Sequence, residues 1–157
     1  MSDMLVKLFD LTDHNSEYID LQNNGISIKS AMAPDLYKIT KWIGENFGQG
    51  WAGEATKAIL STPSKCFIAV YEKKIVGFAC YDATTRGFFG PTGVEESMRG
   101  KGLGKALLFK TLSAMYDFGY AYAIIGSAGP TNFYEKACGA VVIENSSPGY
   151  YKNMIDY

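Results

Sequence analysis

The chain has 157 residues, 47% of them hydrophobic, and its 15 basic residues nearly balance 16 acidic ones, for a net charge of −1. We expect a single domain over residues 1–157, because this length and composition supply one substantial core. The near-neutral charge argues against a nucleic acid as partner. The N-terminus carries acids where a secretory signal carries bases, and no apolar run reaches about 18 residues. We therefore expect a cytoplasmic protein without membrane contact.

The hydrophobic pattern predicts strands and helices in a definite order. Residues 1–25 contain an ambiguous apolar run and are interpreted as an extension or an extra strand. The elements predicted after them are a strand at 26–32, helices at 34–47 and 54–60, strands at 66–71, 75–81 and 85–94, a long helix at 101–118, a strand at 122–126, a helix at 130–138, and closing strands at 141–144 and 150–155. This order, β-α-α-β-β-β-α-β-α-β-β, predicts a mixed α/β sandwich and not the alternation of a Rossmann fold.

The sequence offers few metal ligands. His14 is its one histidine, and Cys66, Cys80 and Cys138 are widely spaced among apolar residues. No usual zinc spacing can be assembled from this set. We expect no metal and three reduced cysteines that pack as small apolar side chains.

A glycine-rich basic segment precedes the long helix. Met98–Lys105 has the sequence M-R-G-K-G-L-G-K, with glycine at every second position from Gly100. Glycine lets a ligand approach the backbone, and the first N–H groups of a helix attract anions. Each glycine in a helix costs about 1 kcal/mol relative to alanine, so three in one opening turn favour a function. The pattern predicts phosphate binding, and a flexible turn that happens to be basic is the alternative.

Spacing excludes two common phosphate motifs. A dinucleotide fingerprint needs a third glycine where Lys105 stands. A P-loop needs glycine at the position of Arg99 and a hydroxyl at that of Ala106.

Three motifs resemble those of one superfamily. Arg99, Gly102 and Gly104 form R-x-x-G-x-G after a strand that ends at Val94, and this resembles the coenzyme A pyrophosphate loop of the GCN5-related N-acetyltransferase (GNAT) superfamily. F-Y-E-K-A-C-G-A at 133–140 is similar to the superfamily's F-Y-x-K-x-G-F, and I-V-G-F-A at 75–79 is similar to its third strand.

The resemblance covers about residues 26–157 and carries several expectations. It implies a mixed, mostly antiparallel central sheet with helices on both sides. It also implies direct acetyl transfer from acetyl-CoA to a primary amine of a small-molecule or peptide acceptor. A non-catalytic acyl-CoA sensor with the same fold is the alternative function, and both a monomer and a homodimer are compatible with the sequence.

The resemblance also assigns residues. It implies that Tyr134 protonates the departing thiolate, although without the motif this tyrosine would be interpreted as a core residue with an exposed hydroxyl. Ser127 stands where many members carry asparagine, and Ala140 replaces the usual aromatic residue. The residues implied to contact acetyl-CoA are Thr92, Gly93, Val94, Arg99, Gly100, Lys101, Gly102, Leu103, Gly104, Lys105 and Ser127.

The chemistry also demands a proton acceptor. Deprotonating an amine with a pKa of about 10.4 at pH 7 costs roughly 4 to 5 kcal/mol, against about 2 kcal/mol for releasing a thiolate. Glu95 and Glu96 lie nearest the expected reacting centre in sequence and are the candidate bases, with Asp82 and Glu54 as further carboxylates. Carboxylates just before a phosphate loop are often solvated surface charges, so a chain of water molecules is an alternative.

The resemblance implies that the helix pair near the N-terminus lines the acceptor pocket, and the irregular strand at 85–94 is expected to contribute to it. Aromatic walls with a few polar groups suit a small amine, and core packing is the alternative for each ring. Phe88 and Phe89 are adjacent in a strand, so they point to opposite faces. The candidate acceptor-binding residues are Trp42, Phe47, Trp51, Glu54 and Phe88.

Overall fold

The computed structural model describes residues 1–155. The strands are β1 (Met4–Lys7), β2 (Ile26–Ser30), β3 (Cys66–Tyr71), β4 (Lys74–Tyr81), β5 (Phe88–Val94), β6 (Tyr122–Ile125) and β7 (Val141–Val142). The α-helices are α1 (Asn15–Asn23), α2 (Leu36–Phe47), α3 (Gln49–Ile59), α4 (Leu103–Phe118) and α5 (Thr131–Cys138). None of the helices in this range is long and apolar enough to cross a membrane.

The strands form one sheet in the order β2-β3-β4-β5-β6-β1-β7. Every neighbouring pair is antiparallel except β5 and β6, which are parallel. This confirms the mostly antiparallel sheet implied by the resemblance. The predicted β3–β4 hairpin is present, and its turn places Glu72 and Lys73 at φ values of 50° and 63°. Two left-handed residues match the twist of a tight hairpin.

Side chains alternate between two cores on the two faces of the sheet. On β4, Ala79 belongs to the core beneath α4, whereas its neighbours Phe78 and Cys80 belong to the core beneath α2 and α3. On β3, Ile68 and Ala69 divide in the same way. Because successive strand residues point to opposite faces, the apolar runs at the centre of the sheet serve both layers. Helices therefore cover both faces, as predicted.

The N-terminal segment supplies a strand inside the sheet. In β1, Met4 lies opposite Ile125 of β6 on one side and Val142 of β7 on the other. The predicted closing strand at 150–155 is wrong, since Gly149–Asn153 forms a 3₁₀ helix. Because β1 occupies the place beside β6, the described C-terminal residues find no free strand edge there with which to pair.

Helix α1 and several boundaries differ from the sequence prediction. Leu21 is the one buried residue of α1, so the segment lacks a clear amphipathic pattern. Helix α4 begins at Leu103 and not at 101, because Gly100 and Gly102 adopt φ values of 80° and 84°. Helix α3 begins at Gln49, five residues before the predicted start at 54, and includes Gly50 and Gly53. β2, β5, β6 and β7 are shorter than predicted.

We predict that β1 is needed for stability. Met4 is fully buried, so Met4→Ala is expected to lower the free energy of unfolding by about 2 to 5 kcal/mol, because it removes core volume. Lys7→Ala, at an exposed position of the same strand, is the control and is expected to change it by less than about 0.5 kcal/mol. Urea unfolding measures both. A loss below about 1 kcal/mol for Met4→Ala would show that β1 is dispensable.

Candidate active site

The parallel strands β5 and β6 diverge. They pair at only two positions, Phe88 with Ile124 and Phe89 with Ile125. Beyond Phe89, β5 continues to Val94, whereas β6 ends at Ile125. Within residues 1–155, the side of β5 that faces away from β4 therefore has no strand partner from Gly90 onwards. The gap between the two strands opens into a cleft.

This cleft, the loop cleft, has a volume of about 730 Å³. It extends from the glycine-rich loop at one end to α5 and the rings of α2 and α3 at the other. Its lining residues are Phe47, Trp51, Phe89, Thr92, Gly93, Val94, Met98, Arg99, Gly100, Gly102, Leu103, Gly104, Lys105, Leu108, Gly129, Pro130, Phe133 and Tyr134.

The loop presents free N–H groups at the start of α4. The first intrahelical bond of α4 joins the Ala106 N–H to the Gly102 carbonyl at 3.0 Å, and no side chain caps the helix. Within residues 1–155, the N–H groups of Leu103, Gly104 and Lys105 have no hydrogen-bond acceptor. A Cβ on Gly102 would meet no atom within 4 Å, so the space beside the loop is open. Such a helix N-terminus is suited to hold an anion.

Two of the three predicted cations lie at the cleft. Arg99 donates from Nε to the Val94 carbonyl at 3.2 Å, and the Lys105 Nζ lies 3.2 Å from Glu17 Oε1. Both residues line the loop cleft, whereas Lys101 does not. The Lys101 Nζ instead lies 3.8 Å from the Met98 Sδ. The structure thus places Arg99 and Lys105, but not Lys101, beside the free N–H groups.

Tyr134 lies in the wall of the loop cleft. It is only 6% exposed, and burial raises its pKa from 10.0 to about 12, with a smaller contribution from Cys138. Its hydroxyl makes no hydrogen bond within residues 1–155. No fully buried side-chain oxygen or nitrogen in that range lacks a partner, so the hydroxyl oxygen opens onto the cleft. A protonated phenol is thus available at neutral pH.

A second cavity, the aromatic cavity, adjoins the loop cleft and has a volume of about 830 Å³. Trp51 and Phe89 line both cavities, so the two spaces meet at these rings. The residues of its wall are Met1, Gly50, Trp51, Glu54, Thr84, Phe89, Gly90, Pro91, Gly126, Ser127, Tyr150, Tyr151, Lys152, Asn153 and Met154.

Glu54 is held in the wall of the aromatic cavity. Thr84 donates its hydroxyl to Glu54 Oε1, and Tyr151 donates to the same oxygen at 3.4 Å. The hydroxyls of Thr84 and Tyr151 are 3.0 Å apart. Burial raises the pKa of Tyr151 above its ordinary value, and the nearby Glu54 charge adds to this shift. The three groups join α3, the segment after β4 and the C-terminal 3₁₀ helix.

Several predicted residues lie away from the two cavities. Glu95 and Glu96 line neither cavity, and Glu95 Oε2 accepts a hydrogen bond from Ser97 at 3.1 Å. Trp42 packs in the core against Phe47 and Phe78.

Phe88 also lines neither cavity, and its ring lies 5.9 Å from that of Tyr150. Ser127 lines the aromatic cavity, away from the loop cleft, and donates its N–H to Asp3 Oδ1 at 2.8 Å. Phe89, Thr84 and Tyr151 also line the aromatic cavity but are not among the candidate acceptor-binding residues predicted from the sequence. Strand alternation allowed for Phe89, but no local pattern marked the other two.

Comparison with protein-family models identifies the class of protein. The model of the acetyltransferase (GNAT) family matches residues 34–140, which is more than half of the chain. The chain therefore belongs to the GNAT family of acetyltransferases, and this membership supports acetyl-CoA-dependent acetyl transfer in general. No curated protein matches the sequence.

Solved structures share the fold at low sequence identity. A GCN5-related glucosamine N-acetyltransferase region of a fungal multi-domain β-N-acetylglucosaminidase matches with a TM-score of 0.73 and 11% identity, over 90% of this chain and 19% of that one. A GCN5-related N-acetyltransferase from Sphaerobacter thermophilus matches with a TM-score of 0.63 and 23% identity, over 90% of this chain and 48% of that one. An aminoglycoside acetyltransferase from an uncultured soil metagenomic sample matches with a TM-score of 0.53 and 18% identity, over 73% of this chain and 88% of that one. The chain thus spans about a fifth of the length of the first of these proteins and about half of the length of the second.

We predict that the Tyr134 phenol titrates near pH 12, against 10.0 for an ordinary tyrosine. Since the unfolded chain releases this proton more easily, the stabilisation from this group is fully present below pH 10 and is lost as the pH rises through about 12. NMR of protein labelled at tyrosine Cζ measures the titration, with Tyr134→Phe assigning the resonance. A midpoint at or below 10 would contradict the desolvation of this tyrosine in the cleft wall.

Proposed function

We propose that this protein is an N-acetyltransferase that transfers the acetyl group of acetyl-CoA directly to a primary amine. Membership of the GNAT family supports acetyl transfer, and the observation that carries the proposal is the loop cleft. In this cleft a helix N-terminus with free N–H groups and a protonated phenol line one space. The amine acceptor, the residues of the site and their roles are all part of this proposal.

The donor is proposed to bind along the loop cleft. Its pyrophosphate is held by the free N–H groups at the start of α4, with Arg99 and Lys105 as counter-charges. Its pantetheine amides pair with the unpaired side of β5 between Gly90 and Val94, as an added strand does. This arrangement places the thioester near Trp51, Phe89 and Tyr134, where the two cavities meet.

The proposed reaction follows from these positions. The neutral amine nitrogen attacks the thioester carbon, a carbon–nitrogen bond forms and the carbon–sulfur bond breaks. The Tyr134 hydroxyl, which is protonated at neutral pH, gives its proton to the departing thiolate. The amine loses a proton to water or to a carboxylate. Of Glu54, Glu95 and Glu96, only Glu54 lines a cavity.

We predict that a carboxylate in the loop blocks donor binding. A Cβ on Gly104 would lie 3.9 Å from Val94 Cγ2, an ordinary contact, so Gly104→Glu is tolerated sterically. An acid near a helix N-terminus stabilises the helix but repels a phosphate. We expect the Kd for CoA to rise at least about 10-fold, with no loss of melting temperature. Gly104→Gln has the same size without the charge and is the control. Equal Kd values in calorimetry for the two variants would contradict a phosphate site here.

We predict that Tyr134→Phe lowers kcat by about 10- to 1,000-fold, as expected for the loss of a general acid, and leaves the Kd for CoA unchanged. Release of free CoA from acetyl-CoA in the presence of a panel of primary amines measures the activity. Tyr116→Phe, at an exposed position of α4, is the control.

Unchanged turnover in Tyr134→Phe would remove this residue from the mechanism. If the wild-type protein binds CoA but no amine gives CoA release, the non-catalytic acyl-CoA sensor is the correct function.

A further inference from the structure

We infer that the aromatic cavity binds a compact ammonium compound with an apolar body, and that Glu54 recognises its positive charge. This inference rests on the proposed function, since the compound is the acceptor of that reaction. It goes further by naming the chemical class of the acceptor and the group that selects it.

The Glu54 carboxylate has a free oxygen. Both of its hydrogen bonds, from Thr84 and Tyr151, go to Oε1, and Oε2 has no partner within residues 1–155. Because no fully buried side-chain oxygen in that range lacks a partner, Oε2 is accessible. Glu54 lines the aromatic cavity, so we take this oxygen to face the cavity. The two hydroxyls therefore fix the carboxylate and leave one oxygen for a ligand.

The charge of Glu54 is not paired with a cation of the described residues. None of the ion pairs formed by residues 1–155 includes Glu54. Two residues of the cavity wall carry a cation: Lys152, which is solvent-exposed and so screened by water and salt, and Met1, whose α-ammonium group donates to Ser147 Oγ at 3.3 Å. A carboxylate on an apolar wall attracts a cation more strongly than it would in water. An organic ammonium group is the cation that also suits the rest of the wall.

The aromatic residues supply a complementary surface. Trp51 is 38% exposed and stacks on Phe47, with ring centroids 5.4 Å apart. With Phe89, Tyr150 and Tyr151 it gives the cavity four aromatic side chains. Aromatic faces attract cations and also cover apolar surface. A ligand with one ammonium group and an apolar body matches both properties.

The position of Glu54 places the ammonium group beside the loop cleft. Glu54 and Trp51 are three residues apart on α3, so they lie on the same face of this helix. Trp51 lines both cavities, so an amine held at Glu54 is about one helical turn from the junction. A short amine that gives one proton to Glu54 or to water can move from this site to the thioester as the neutral nucleophile. A carboxylate beside the amine would be repelled by Glu54, so amino acids are expected to bind more weakly.

The test compares phenethylamine with 2-phenylethanol, which differ in the ammonium and hydroxyl groups. We expect the wild-type protein, with CoA present, to bind the amine at least 10-fold more tightly in calorimetry. Glu54→Gln is expected to reduce this ratio below about 2-fold, whereas Glu54→Asp keeps most of it. Glu45→Gln, an exposed carboxylate of α2, is the control that keeps the full ratio.

Two measurements on the wild-type protein test where the amine binds and whether its charge contributes, without the use of any variant. The indole N–H resonance of Trp51 is expected to shift on adding phenethylamine, while that of Trp42, which lines neither cavity, stays in place. Added salt is expected to weaken binding of the amine and not of the alcohol. These two readouts decide the matter even if Glu54→Gln does not fold.

Equal binding of amine and alcohol, or a ratio unaffected by Glu54→Gln, would overturn the inference. It would also be overturned if phenylalanine bound more tightly than phenethylamine and Lys152→Gln removed this advantage, since Lys152 would then select an acid. None of these measurements needs acetyl transfer. Their failure therefore leaves the proposed reaction standing, and failure of the CoA-release assay leaves the binding result standing.

Discussion

The site depends on the two-residue contact between β5 and β6. Antiparallel neighbours joined by a hairpin stay paired along their length, as β3 and β4 do. β5 and β6 are parallel and joined through α4, so their pairing ends after Phe89 without breaking the connection. The gap leaves one side of the β5 backbone unpaired beyond Phe89, and the first residues of α4 line the cleft beside it. The loop cleft and its junction with the aromatic cavity both follow from this divergence.

The position of β1 between β6 and β7 also affects the C-terminal segment. β1 fills the place between β6 and β7, and Asp3, just before it, bonds to both neighbouring loops. Asp3 accepts the Ser127 N–H through its carboxylate and donates its own N–H to the Ser146 hydroxyl, each at 2.8 Å. The C-terminal segment that follows is thereby free to cover the aromatic cavity with Tyr150 and Tyr151. These residues lie outside the part of the chain that the family model matches.

Helix α1, also outside that match, contacts Lys105 of the glycine-rich loop through Glu17. Burial alone would raise the pKa of the Glu17 carboxyl, but hydrogen bonds from Lys105 and His14 lower it below its ordinary value. The His14 ring stacks on Phe109 of α4, with centroids 3.5 Å apart. Segments on both sides of the family match therefore contact the site, one at the loop and the other at the aromatic cavity.

The sequence by itself determined the mixed α/β class and drew attention to the glycine-rich segment at 99–105 and to Tyr134, whose roles stay predictions, because each is encoded in neighbouring residues: periodicity, glycine spacing and a short motif. Only the tertiary structure decided that β1 replaces the expected closing strand, since strand pairing joins residues more than 100 positions apart. It likewise decided that Phe89 faces the cavities and Phe88 does not, and that Thr84 and Tyr151 hold Glu54. Such contacts depend on how distant segments pack, which no local pattern specifies.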